Sequence, residues 1–206
     1  MKSLLSAMLI CCLCSYANPV IKYKSPLEKY HTIWTSSVYK KCETAIATTY
    51  LTKEEKDIIY ILNLMRQYPK QFAETVVKKW PAKKGNHLLE VPEYQSLLKD
   101  LMAMKPQPLL KPDSNLWVSA RCHAEMSGRA GYLGHERVSK NCIANFRGEC
   151  CHYGYSNALE IVMSLLIDEG VPSLGHRRIL TGNYHWAGVS MMPHSEYGYN
   201  TVIDVY

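Results

Sequence analysis

The chain closes on His185-Trp186-Ala187-Gly188-Val189-Ser190-Met191-Met192 and Tyr199-Asn200-Thr201-Val202-Ile203-Asp204-Val205-Tyr206, with Pro193 to Gly198 between them. Both runs are strand-like, and the gap is a turn of the kind that joins antiparallel neighbours. Residues 148 to 154 read as a third strand. Upstream the pattern changes to that of helices. Thr52 and Glu55 form a capping box ahead of Ile58, Ile59, Leu62 and Met65, which recur at helical spacing up to Pro69. A second short helix is predicted from Pro69 to Trp80, with Phe72 and Val76 inward and Pro81 stopping it. Pro92 opens another, carrying Tyr94, Leu97, Leu98 and Leu101, and the stretch from Lys105 to Pro112, with its three prolines, marks a linker. Asp113 caps a longer helix through Leu116, Ala120, His123 and Met126 that ends at Gly128 or Gly131. Ser156 begins one more, with Leu159, Val162, Leu165 and Leu166 as its apolar stripe.

Helices first and an antiparallel sheet late indicate an α+β domain over Thr52 to Tyr206, about 155 residues, a size that sustains one core. Residues 18 to 51, with Pro19, Pro26 and mixed charges, read as an extended lead-in on the outside of that domain. At the start, Met1-Lys2, an apolar run from Leu4 to Cys14 and then Ser15-Tyr16-Ala17 form a secretory signal over residues 1 to 17, with cleavage near Ala17. The apolar run is shorter than the roughly 18 residues of a membrane span, and no later run reaches that length. The sequences around Cys11, Cys12 and Cys14 are poor lipidation sites, so the expectation is a secreted, periplasmic or extracellular protein without a lipid anchor.

The formal charge of +6 is spread along the chain without clusters, and no nucleic-acid motif is present, which disfavours a nucleic-acid partner. After export the cysteines are Cys42, Cys122, Cys142, Cys150 and Cys151. An oxidising compartment allows up to two disulfides and one thiol. Cys142 and Cys150 could close a small loop, neighbouring Cys150 and Cys151 point apart and need separate partners, and the pairing stays open. No C-x-x-C pair offers a structural zinc site.

The densest chemistry lies between Leu133-Gly134-His135 and Leu174-Gly175-His176, with Glu149 and Asp168 inside that interval. Two imidazoles and two carboxylates are the materials of a metal site or an acid/base site. If they meet, neutral His135 and His176 can take zinc or another divalent ion. Glu149 and Asp168 would then supply an oxygen ligand, receive the imidazole N–H, or act as catalytic base toward an ester or peptide carbonyl. The plainer alternative is a hydrogen-bonded polar cluster that does no chemistry. Other candidates fail on spacing: His123-Ala124-Glu125 lacks the cysteine pair of a deaminase, and His123 reads as a helix-interior residue. Ser173 lacks a nucleophile elbow and reads as a cap on the turn into Gly175. A Cys150 or Cys151 thiol beside His152 is better explained by disulfide bonding. His185, His194, Tyr184 and Trp186 read as sheet and loop surface.

These landmarks together resemble the CAP superfamily (cysteine-rich secretory, antigen 5 and pathogenesis-related 1 proteins), in particular its bacterial secreted branch. The resemblance rests on Gly175-His176-Arg177-Arg178-Ile179-Leu180 with Asn183 and Ala187-Gly188-Val189, on Gly148-Glu149, on Val202-Ile203-Asp204, and on Leu62-Asn63-Leu64-Met65-Arg66 before Pro69. It covers Thr52 to Tyr206. It implies an extracellular three-layer α-β-α sandwich with a small antiparallel sheet and a cleft lined by His135, Glu149, Asp168 and His176. Asp168 stands where many relatives carry Glu, which makes Glu169 an alternative second acid, and Cys150 stands where an Asn usually follows the Glu. The resemblance implies no single activity. The expected function is a secreted binding protein whose cleft holds a divalent metal and a lipid, sterol or peptide ligand. A metal-dependent esterase or protease, and an interaction module with an inert cleft, are the alternatives.

Overall fold

The structure, a computed structural model, describes residues 24–206, so the expected export leader over residues 1 to 17 lies outside the described residues. Seven α-helices and four strands follow in the order α1 (Lys53–Gln67), α2 (Pro69–Thr75), α3 (Trp80–Lys84), α4 (Pro92–Ala103), β1 (Lys111–Pro112), α5 (Ser114–Ala130), β2 (Gly148–Tyr153), α6 (Ala158–Ile167), α7 (Gly175–Thr181), β3 (Trp186–His194) and β4 (Gly198–Val205). The mixed α/β fold agrees with the α+β expectation. Among the described residues, no helix is long and apolar enough to cross a membrane.

The sheet runs β1-β3-β4-β2, with β3 and β4 an antiparallel hairpin and β2 antiparallel to β4. It is not wholly antiparallel. The end of the expected linker pairs parallel to β3, where Lys111 and Asp113 donate to the carbonyls of His185 and Ala187, and Pro112 is tolerated because β1 is an edge.

Side chains alternate across the sheet. On one face Val202 and Cys151 pack against Ala120 and Ala124 of α5, and Asp204 reaches Ser119. On the other, Ala187, Val189, Ile203, Val205 and Cys150 join the main core with α1 and α6. Helices therefore cover both faces. Gly188 is what lets α5 lie so close, since a Cβ there would sit 2.1 Å from the Leu116 backbone.

Four local expectations change. The lead-in is part of the core: Leu27, Trp34 and Cys42 are fully buried, and Trp34 Nε1 donates to Thr75 Oγ1 at 3.0 Å. It is held by aromatic packing, Trp34 on Tyr39 and Tyr39 on Tyr68, with ring centroids 4.9 Å apart in both pairs, inside short 3-10 turns that leave no periodic signature. The helix expected to run from Pro69 to Trp80 breaks at Thr75-Val76-Val77, where successive β-branched residues disfavour helix. Pro81 then falls in the first turn of α3 and starts that helix instead of ending one. The sixth helix begins at Ala158, two residues later than expected, because Asn157 and not Ser156 caps it through the Glu160 N–H.

Among the described residues one disulfide, Cys122–Cys142, ties α5 to the loop ahead of β2, while Cys42, Cys150 and Cys151 are buried thiols. A Cys142–Cys150 loop is not formed, because strand alternation turns Cys150 into the main core and away from that loop.

Helix α1 follows its capping box, with the Thr52 and Glu55 side chains each bonded to the other's backbone. Besides Glu55, it buries the polar side chains of Asn63 and Arg66. Asn63 donates to the Cys42 and Leu110 carbonyls and accepts from Leu110 N–H at 2.7 Å. Arg66 donates to the carbonyls of Pro108, Leu180 and Tyr184 at 3.0, 2.7 and 2.9 Å. Replacing Arg66 by Met would leave three inward carbonyls without donors, a loss on the order of 3 kcal/mol or more. Urea denaturation of Arg66→Met should show it, and an unchanged midpoint would refute that weight on Arg66.

Candidate functional site

The site forms around β2, an edge strand. Glu149 points to the α5 face and meets His135, which lies on the loop leaving α5. His135 Nδ1 lies 2.9 Å from Glu149 Oε1, and Arg137 Nη2 donates to Oε2 at 2.6 Å. Burial alone would raise the Glu149 carboxyl. The hydrogen bonds from His135 and Arg137, with the Arg137 charge, overcome it and hold Glu149 down to about 2. The carboxylate is therefore an acceptor on both oxygens, which puts the His135 proton on Nδ1.

His176 is the second residue of α7. Asp168, just past α6, takes a left-handed backbone (φ 60°), as does Leu174 (φ 48°), and the loop between them brings the Asp168 carboxylate over the N-terminus of α7. Oδ1 lies 2.7 Å from His176 Nδ1, while Oδ2 accepts from the N–H groups of His176 and Arg177 at 2.9 and 3.4 Å. Asp168 thus caps α7, whereas Ser173 was expected to cap the turn into Gly175. Asp tolerates the left-handed backbone of this position better than most residues. Glu169 is exposed, so Asp168 is the acid on His176.

The two histidines meet: their ring centroids are 6.2 Å apart at an interplanar angle of 38°. All four residues singled out in the sequence are brought together, in two His–carboxylate pairs. Neither carboxylate keeps an oxygen free of a donor, so both orient imidazoles and neither is placed as a base for an incoming substrate. With Nδ1 carrying the proton on each ring, the Nε2 lone pairs are the free ligand atoms.

Several groups here had no sequence signal. Arg137 completes Glu149 from two residues beyond His135, on an irregular loop without periodicity. His152 faces the same side of the sheet as Cys150. It is stacked on Tyr155 at 5.2 Å, its buried Nδ1 has no partner, and burial together with nearby His176 lowers its pKa to about 4. His194, expected at the surface, is buried and accepts from the Glu196 and Tyr197 N–H groups, closing the β3–β4 turn.

A second set lies deeper. His123, Glu149 and Cys151 offer ligand atoms within 4.8 Å of one another and could hold a metal. His123 Nε2 lies 2.9 Å from the Gly134 carbonyl, which fixes a proton on that nitrogen, and burial pushes the Cys151 thiol up. A metal there would have to displace both protons and compete with Arg137 for Glu149.

Asp204 stands opposite Glu149 across β2 and β4 and accepts from Ser119 Oγ at 2.6 Å. Burial pushes its carboxyl up to about 8, and the Glu149 charge adds to the rise against the opposing Ser119 hydrogen bond. No family model matches the chain, and no curated protein matches it.

The stability consequences have opposite signs. Glu149, with a depressed pKa, stabilises the fold above its unfolded value near 4.5 and loses that contribution as pH falls toward about 2. Asp204, with a raised pKa, contributes fully below about 3.8 and loses that contribution as pH rises through about 8. Urea midpoints should therefore fall between pH 5 and pH 8 in the wild type and fall much less in Asp204→Asn. Equal slopes in the two proteins would show that Asp204 is already ionised in the fold.

Proposed function

We propose that the chain is an exported member of the CAP superfamily whose His135/His176 cleft binds a divalent ion, zinc by its ligand chemistry, and recognises a ligand outside the cell. One observation carries this reading: each imidazole donates a hydrogen bond from Nδ1–H to a buried carboxylate, and the two ring centroids lie 6.2 Å apart. Metal-binding histidines are held in this way, the carboxylate fixing the tautomer and raising the basicity of the other nitrogen. A ring bound at about 2.1 Å has its centroid about 3.2 Å from the ion, so two rings at a tetrahedral angle stand about 5.2 Å apart, and closing on zinc draws His135 and His176 together by about 1 Å.

His135 and His176 would be the ligands, with Glu149 and Asp168 behind them. A bound ion would supply Lewis acidity and anchor an oxygen of the ligand. The residues themselves orient: Arg137 keeps Glu149 ionised, and Asp168 keeps His176 on the first turn of α7. A hydrolase needs a base with a free oxygen, and neither carboxylate offers one. Binding is therefore the preferred reading over turnover. The Cys122–Cys142 disulfide supports an oxidising compartment, and the resemblance of the Gly175–Leu180 and Gly148-Glu149 segments supports the family.

Calorimetric titration with zinc tests this. Wild type should take up one ion. His135→Ala and His176→Ala should each lose it, and Asp168→Asn should weaken it by about 10–100-fold. A wild type that takes up no zinc overturns the metal reading. Chelator-sensitive ester or peptide turnover would overturn the preference for binding.

A further inference from the structure

We infer that the cleft takes an extended peptide, which pairs its main chain with the open edge of β2 beside His176. This rests on the reading of the cleft as a ligand site and names the class of ligand. It does not require the metal.

The register settles which main-chain groups face outward. Gly154 N–H donates to the Tyr199 carbonyl, and residues 152 and 150 stand opposite 201 and 203. Even-numbered residues of β2 therefore give their N–H and C=O groups to β4, and Cys151 and Tyr153 turn theirs to the open side. Among the described residues, no other element hydrogen-bonds to those groups. Toward its start the strand is covered, because Ile179 of α7 packs on Gly148. The open stretch borders a cavity of about 390 Å³ lined by Cys151, His152, Tyr153, Ser164, Asp168 and His176, among others. Three consecutive strand residues can line one cavity only if the strand presents its edge, since their side chains alternate between faces. The cavity is thus a slot with a β-edge for one wall and the α6–α7 turn for the other.

Polar groups around the slot match a peptide better than an acyl chain. His152 is more than nine-tenths buried and keeps an unpartnered Nδ1, and Ser164 and Glu169 also line the slot. A hydrocarbon would strip water from these groups and from the Cys151 and Tyr153 main chain without replacing a hydrogen bond. An extended peptide replaces each one, as in strand addition to an exposed sheet edge. Three residues of strand span about 10 Å, which brings the peptide backbone alongside His176.

A library of capped random hexapeptides screened on the purified chain, with and without zinc, is the probe. Retained peptides are then N-methylated one residue at a time. Edge pairing predicts a two-residue period: methylation at one parity weakens binding about tenfold or more, and at the other parity it leaves binding unchanged. Amide exchange at Cys151 and Tyr153 should slow on binding. Ser164→Tyr, which fills the slot from α6, should abolish peptide binding with melting temperature and zinc uptake unchanged. No retained peptide, no parity in the methylation scan, or unaltered exchange at Cys151 and Tyr153 would each overturn the inference. Zinc uptake without peptide binding removes this inference alone, whereas peptide binding with the parity pattern but no zinc uptake removes only the metal reading.

Discussion

The Arg66 guanidinium is buried on α1 with three backbone carbonyls around it, and those carbonyls belong to parts of the chain that share no regular hydrogen bonding. Pro108 lies on the segment that enters β1, Leu180 on the last turn of α7, and Tyr184 on the approach to β3. Burial lowers the Arg66 pKa to about 10, which still leaves it charged at neutral pH, and a buried charge stays only where donors and acceptors match. Asn63, one turn earlier, does the same for Cys42 and Leu110. The sheet's irregular side is thus docked on α1 by polar groups, while α6 and β3 pack on it by apolar contact. Helix α7 is held at both ends, by Asp168 at its start and by Arg66 at its close. Arg177 between them reaches the Leu166 and Ile167 carbonyls and Asp100. His176 therefore sits on a rigid element.

β2 couples this rigid half to a different one. Because strand side chains alternate, Glu149 reaches the α5 face and holds His135, while Cys150 and His152 face the other side, where the Cys150 thiol lies 3.8 Å from the His176 carbonyl. Two histidines from opposite sides of a sheet can meet only around an edge. The strand order, with β2 outermost, is the condition for the site, and it is also why main-chain groups are left open beside it.

Much of this was legible in the sequence. Local chemistry marked the helix starts at Thr52, Pro92 and Asp113, and the strands at both ends of the closing hairpin. The four cleft residues came from residue type, spacing and resemblance. What stayed hidden depends on tertiary packing. The aromatic lead-in has no period because its residues fill gaps between helices. Pro81 reads equally well as a stop or a start until the β-branched residues before it are seen to break α2. Arg137 and Asp204 acquire their roles from loop path and strand register, and the Cys122–Cys142 pairing depends on the position of a loop.

That disulfide makes the two halves of the cleft unequal. His176 is fixed by α7, which Arg177 and the Arg66 of α1 hold in place. His135 hangs on an irregular loop whose anchorage includes a crosslink between residues 20 apart in sequence. Such a crosslink removes roughly 3 kcal/mol of chain freedom from the unlinked state. Breaking it returns that freedom to the unfolded chain, so reduction costs the fold stability at the segment between α5 and β2 that carries His135. The surrounding redox potential thus enters the stability of the site through its His135 side and not through α7.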